Sequence, residues 1–211
     1  MRFADKKSQQ VIEELAAKLP VPGGGGAAAF VGAIGTALGN MVGSFTKGKK
    51  KFAAVEEDIA DLQLKCDAVQ KRLLDLMDED ALLFEPLSKA YAMKETTVAE
   101  RREKERVLEQ TTLDACKVPL EIMEECCLAV DYLEEFLKKG NPLLVSDVGV
   151  GALCCKAALL SAALNVYVNT RLMKNRAVAE EMNAETAARA ETYAEKADMI
   201  YASVLKQLKP S

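Results

Sequence analysis

Residues 55–87 read VEEDIADLQLKCDAVQKRLLDLMDEDALLFEPL, and their apolar positions Val55, Ile59, Leu62, Cys66, Val69, Leu73, Leu76, Leu83 and Leu87 follow one register of fours and threes. Such spacing keeps one face of an α-helix apolar over about nine turns. The register leaves one gap, at position 80, and Asp80 occupies it. A carboxylate is therefore expected on the core seam between Leu76 and Leu83, where burial raises its pKa. Pro86 is expected to bend or end this helix.

The same period runs through the rest of the chain. Val11, Ile12, Leu15 and Leu19 form a short amphipathic helix closed by Pro20 and Pro22. Ala27–Thr46 carries no charge, and Gly32, Gly35, Gly39 and Gly43 form one stripe that lets another helix, or a twofold copy of this one, approach closely. Thr97–Cys116 is a charged, solvent-facing helix, and a separate helix follows Pro119 and stops at Lys138-Lys139-Gly140. Ser146 is expected to cap the next helix, with Asp147 as its first residue and its end near Arg171. On it Val150, Leu153, Ala157, Leu160, Leu164 and Val168 form the expected core stripe, while Asp147, Gly151, Cys154, Ala158, Ser161 and Asn165 form a small, polar face. A last helix, Ala179–Leu208, closes the bundle. The fold expected is all-α: one domain over 1–211, a bundle of six to seven long antiparallel helices that pairs into a dimer.

Composition narrows the function. In 211 residues, half are hydrophobic but there is no Trp and no His. The lack of histidine removes the usual general base and the commonest metal ligand, and no Cys-x-x-Cys pair offers a zinc site. A net charge of −4 gives no overall attraction to nucleic acid or an anionic membrane. The uncharged span at 27–46 is read as a buried core helix rather than a membrane helix, because Gly and Ala are weakly apolar and the later apolar stretch carries Asp147 and Lys156. Six cysteines in a chain opening on polar residues fit reduced thiols and a cytoplasmic protein.

Three features could carry chemistry. Gly23-Gly24-Gly25-Gly26 is either a plain tight turn or a set of backbone N–H groups at a helix mouth that suits an anion or an electron-rich ring edge. Lys49, Lys50 and Lys51, with Lys47, are either a solvated cap or a trap for an anionic tail. Asp80 and Asp147 lie in environments that push their pKa values apart, as an acid and base pair requires, with Asp147 lowered by the helix N-terminus. The alternatives are an Asp80 paired with a buried cation and an Asp147 that only complements the helix dipole. Asn165 lies roughly 27 Å along the helix from Asp147, so the two cannot meet one ligand atom within a chain.

Taken in order, Leu19–Ala29, Phe45–Phe52, Asp78-Glu79-Asp80-Ala81 with Phe84, Gly140-Asn141, Ser146-Asp147 and Asn165–Asn169 resemble the formiminotetrahydrofolate cyclodeaminase / methenyltetrahydrofolate cyclohydrolase family over nearly the whole chain. The resemblance implies an all-helical, dimeric enzyme with a folate substrate, polyglutamylated folate included, and with no metal and no redox cofactor. It implies that Gly23, Gly24, Gly25 and Gly26 line the pocket. Lys49, Lys50 and Lys51 would meet the folate glutamates, and Asn141, Ser146 and Asn165 would contact substrate. Asp147 would contact the pterin or move protons, with Asp80 as second catalytic candidate. The expected reaction is hydrolysis of 5,10-methenyltetrahydrofolate to 10-formyltetrahydrofolate, favoured because no formiminotransferase-like domain accompanies this one. The alternatives are ammonia-releasing cyclisation of 5-formiminotetrahydrofolate and a non-catalytic folate-binding or assembly module.

Overall fold

The structure, a computed structural model, describes residues 2–209. The ends of the 1–211 domain reading, residues 1, 210 and 211, lie outside the described residues. Six α-helices follow one another: α1 Ser8–Ala16, α2 Gly24–Ser44, α3 Glu56–Tyr91, α4 Val98–Lys139, α5 Val145–Thr170 and α6 Arg176–Leu208. Short 3-10 turns span Phe3–Asp5, Lys50–Val55 and Pro142–Leu144. Among the described residues there is no strand.

α2 is the axis of the bundle, enclosed by α3, α4 and α5, while α6 closes the far side against α5 and α4. Its glycines make that enclosure possible. A Cβ on Gly35 would sit 2.8 Å from the Gly151 carbonyl oxygen, and one on Gly151 would sit 2.9 Å from that of Gly35, so α2 and α5 cross backbone to backbone there. Gly32 and Gly39 admit side chains of α4, and Gly43 admits Gln63 of α3. The stripe thus serves neighbours within the chain, which leaves none of it for a twofold copy.

The seam of α3 is as expected: Ile59, Leu62, Cys66, Val69, Leu73, Leu76 and Leu87 are buried. Neither interior proline ends its helix. α3 runs on through Pro86 to Tyr91, and the two helices expected on either side of Pro119 are one, 42 residues long. At Pro86 the carbonyl deprived of its donor belongs to exposed Leu82. At Pro119 the deprived carbonyl, that of Ala115, accepts instead from Asn169 Nδ2 at 3.1 Å. The N-terminus of α4 carries a reciprocal cap, in which Thr97 Oγ1 accepts from the Glu100 amide and Glu100 accepts from that of Thr97.

α5 differs from expectation in its start and in its buried face. It starts at Val145, so Ser146 lies inside the first turn rather than capping it, and the side chain of Asn141 caps the preceding 3-10 turn. The expected core stripe is the outer one: Val150, Leu153, Leu160, Leu164 and Val168 are exposed, while Val148, Ala152, Cys155, Leu159, Ala162 and Val166 are buried. Where α2 crosses, α5 presents Gly151, Cys154, Cys155 and Ala158, because the backbones there are too close for larger side chains. The outer leucines continue into exposed Ile34 and Met41 of α2 and Phe45 just past its end, making an apolar face along both helices.

By length and composition α2 and the Pro142–Thr170 stretch could each cross a membrane. In the fold α2 is packed by α3, α4 and α5 and leaves one apolar side, with Ile34 and Met41, exposed. All six thiols are free, and burial pushes those of Cys66 and Cys127 up to about 12 and that of Cys116 up to about 11.

Candidate functional site

At one end of the bundle the chain leaves α1, passes Pro20 and Val21, and enters α2 through the glycine turn. Ala27 N bonds to Gly23 O at 3.0 Å, closing the first helical turn. The N–H groups of Gly24, Gly25 and Gly26 precede that bond and have no acceptor within the helix. Asp80 takes one of them: its Oδ2 accepts from Gly26 N at 2.9 Å. The carboxylate lies so close to Gly25 that a Cβ there would fall 2.5 Å from Asp80 Cγ. The side chain of Asn165 lies over Gly24, 3.4 Å from where a Cβ would be.

These residues line a narrow crevice of about 180 Å³, walled by Leu83 and Phe84 of α3, Ala115, Val118 and Pro119 of α4, and Asn165, Val168 and Asn169 of α5. Burial raises the pKa of Asp80 above the ordinary carboxylate value, and the Gly26 N–H only partly offsets it. Among the described residues no Lys or Arg forms an ion pair with Asp80, so the buried-cation alternative does not hold. A carboxyl group in such a place holds its proton more readily than an exposed one and can exchange it with a molecule bound in the crevice. Pro20, Val21 and Phe84 also border a second cavity of about 630 Å³, between Phe3 and the latter half of α3.

The other candidates gather about 30 Å away, at the far end of α2. Asn141 is buried there, with N donating to Thr46 Oγ1 at 2.8 Å and Nδ2 donating to Phe45 O at 3.1 Å, while Oδ1 accepts from Leu143 N at 3.2 Å. It ties α5 to the end of α2. Asp147 is half-buried in the first turn of α5, and Ser146 beside it is exposed. Lys49, Lys50 and Lys51 are exposed, with the ammonium groups of Lys49 and Lys51 over the rings of Phe45 and Phe52 at 5.9 and 5.5 Å. The structure thus brings Asp80 together with Gly23, Gly24, Gly25, Gly26 and Asn165, and keeps Asp147, Asn141, Ser146 and the lysines apart from them.

Sequence reasoning misses Pro119 and Asn169 as part of the site. Pro119 reads there as a boundary between helices. Asn169 is four residues beyond Asn165, on the same helical face, which is the available signal.

Comparison with known proteins agrees with this architecture. Residues 7–188 match the family described as Formiminotransferase-cyclodeaminase. A methenyltetrahydrofolate cyclohydrolase from Methylorubrum extorquens is 38% identical over 170 residues, 81% of this chain and 82% of that protein. The formimidoyltransferase-cyclodeaminase of Rattus norvegicus is 30% identical over 169 residues, 80% of this chain but only 31% of the longer relative. The crystal structure of a formiminotetrahydrofolate cyclodeaminase from Thermotoga maritima superposes with a TM-score of 0.80 at 25% identity, covering 95% of this chain and 98% of that one. With the family match spanning most of the chain, and the same helical fold in a solved relative, the chain belongs to the formiminotransferase-cyclodeaminase family, a family of folate one-carbon enzymes.

Proposed function

We propose that the protein is a cytoplasmic methenyltetrahydrofolate cyclohydrolase in which Asp80 moves the protons. The observation that carries this reading is the Asp80 carboxylate itself, desolvated, free of any cation and oriented by the Gly26 N–H beside a crevice. The 38% identical relative of similar extent bears the same activity in its name.

In the forward reaction water adds to the methenyl carbon while Asp80 accepts a proton from it. The resulting tetrahedral carbon carries a hydroxyl group between N5 and N10. The hydroxyl proton is then lost, N5 takes up a proton, and the bond from carbon to N5 breaks to leave the formyl group on N10. One proton is released overall. No oxidation state changes, so the step calls for no redox cofactor, and the reading includes no metal. The crevice alone is smaller than sites for ligands of folate size, and the adjoining cavity across Phe84 offers room for more of the molecule.

The reading includes a homodimer formed through the exposed apolar face of α2 and α5. α2 and α5 run antiparallel, with Gly24 beside Asn165 and Phe45 beside Asn141. A twofold axis across the middle of that face would set the Asp147 end of one protomer against the Asp80 end of its partner. Asp147, Ser146 and Lys49–Lys51 would then reach the crevice from the partner, with the lysines meeting a glutamate tail, including a polyglutamate. No nucleic acid or membrane takes part.

A second reading, cyclisation of 5-formiminotetrahydrofolate with release of ammonia, is favoured by the solved Thermotoga cyclodeaminase, which this chain spans almost entirely. Both reactions pass through a tetrahedral carbon at the same place. The protein is to be mixed with methenyltetrahydrofolate, following loss of its chromophore, and separately with formiminotetrahydrofolate, assaying ammonia. Accelerated chromophore loss without ammonia release supports the hydrolase, ammonia release supports the deaminase, and silence in both leaves a non-catalytic binding module.

A further inference from the structure

Proline inside a helix leaves the carbonyl four residues earlier without its N–H donor. In α4 that carbonyl belongs to Ala115, on the inward face of the helix, where Thr112, Ala115, Cys116, Val118 and Pro119 are all buried. A buried carbonyl is rarely left unpaired, because no water is available to replace the lost bond. Asn169 Nδ2, reaching across from α5, donates to it at 3.1 Å. Ala115, Pro119 and Asn169 all line the same crevice as Asp80.

We propose that Asn169 is a positioning residue for the reaction: its amide replaces the helical N–H that Pro119 lacks and so fixes the α4 wall of the crevice against the α5 wall. The bond also fixes the amide itself. With Nδ2 committed to Ala115, the Oδ1 of Asn169 is held as an acceptor on the α5 side, as that of Asn165 is by the bond from its Nδ2 to Ser161 O at 2.8 Å. Two amides one turn apart are thus locked in the same sense beside Gly24 and Asp80. A free asparagine could turn over and present a donor instead. A proline in the middle of a helix and an asparagine on its neighbour therefore act as one unit, and neither alone would give this wall.

The turnover arm of the test rests on the folate-enzyme reading; the stability arm does not. Four proteins are compared: the parent, Asn169→Ala, Pro119→Ala and the double variant. Pro119→Ala returns a backbone N–H to α4 that can reach Ala115 O. In the parent background Asn169→Ala is expected to raise KM about tenfold, with a smaller change in kcat, measured well below the melting temperature. In the Pro119→Ala background the same substitution is expected to change KM less than about twofold, and its effect on melting temperature is expected to shrink in parallel. Equal losses from Asn169→Ala in both backgrounds would overturn the proposal. So would coupling in melting temperature with KM and kcat untouched, since Asn169 would then only hold the fold together. If the parent turns over neither folate, the functional reading fails, while the melting cycle still decides whether the amide replaces the helical bond.

Discussion

Asp80 and Gly25 exclude one another sterically: the carboxylate occupies the space that any side chain on Gly25 would need. The carboxylate and the glycine turn are therefore parts of one site, although 54 positions separate Asp80 from Gly26, its hydrogen-bond donor. Gly25→Ala is expected to push Asp80 off the Gly26 N–H and lower turnover about a hundredfold, with a far smaller change in far-ultraviolet circular dichroism. Gly23→Ala probes the same turn without displacing Asp80, because a Cβ there meets nothing within 4 Å. Equal activity in the two variants would separate the turn from the chemistry.

Asp80→Asn keeps an oxygen for the Gly26 N–H but cannot carry a proton. A turnover loss of about a hundredfold or more is expected at neutral pH. Stability should move the other way. Because the folded pKa of Asp80 lies above its unfolded value, the parent carries a penalty at neutral pH. That penalty fades as pH falls through the raised folded pKa and is gone below the ordinary carboxylate value. Melting curves across acid to neutral pH should show the Asp80→Asn variant gaining most over the parent at neutral pH, with the gap closing toward acid. A gap that widens in acid would contradict the raised pKa.

The face formed by the outer leucines of α5 offers a separate test. Leu164 is 68% exposed in the single chain, so Leu164→Glu disturbs no core packing. Sedimentation is expected to find the parent dimeric and this variant monomeric, with unchanged helical content. If the partner supplies Asp147 and the lysines, turnover should fall along with dimerisation. A monomeric variant with full activity would show that one chain holds the complete site.

At the crossing of α2 and α5 the obstacle to a side chain is backbone, which cannot swing away. Gly35→Ala would place a Cβ 2.6 Å from Cys155 Sγ and 2.8 Å from Gly151 O. The helices must part, and a loss of about 1–3 kcal/mol in unfolding free energy is expected by denaturant titration. A change near zero would mean that the two helices are less tightly seated than their geometry implies.

Local pattern settled much of this molecule. The period of α3 set the core seam and placed Asp80 upon it, since side chains three and four apart share a face wherever a helix forms. The same reasoning required close neighbours for the glycines of α2. What it could not supply was the identity of those neighbours. Val150, Leu153, Leu160, Leu164 and Val168 look like a core stripe on a helical wheel, yet α2 lies too near for leucine and the smaller residues face inward. Pro119 looks like a boundary because the donor that lets α4 continue past it belongs to Asn169, 50 positions later. Periodicity records which residues share a face. Which face is buried, which broken bond is repaired and which backbone donor Asp80 meets depend on the partner helix, and only the tertiary structure specifies that partner.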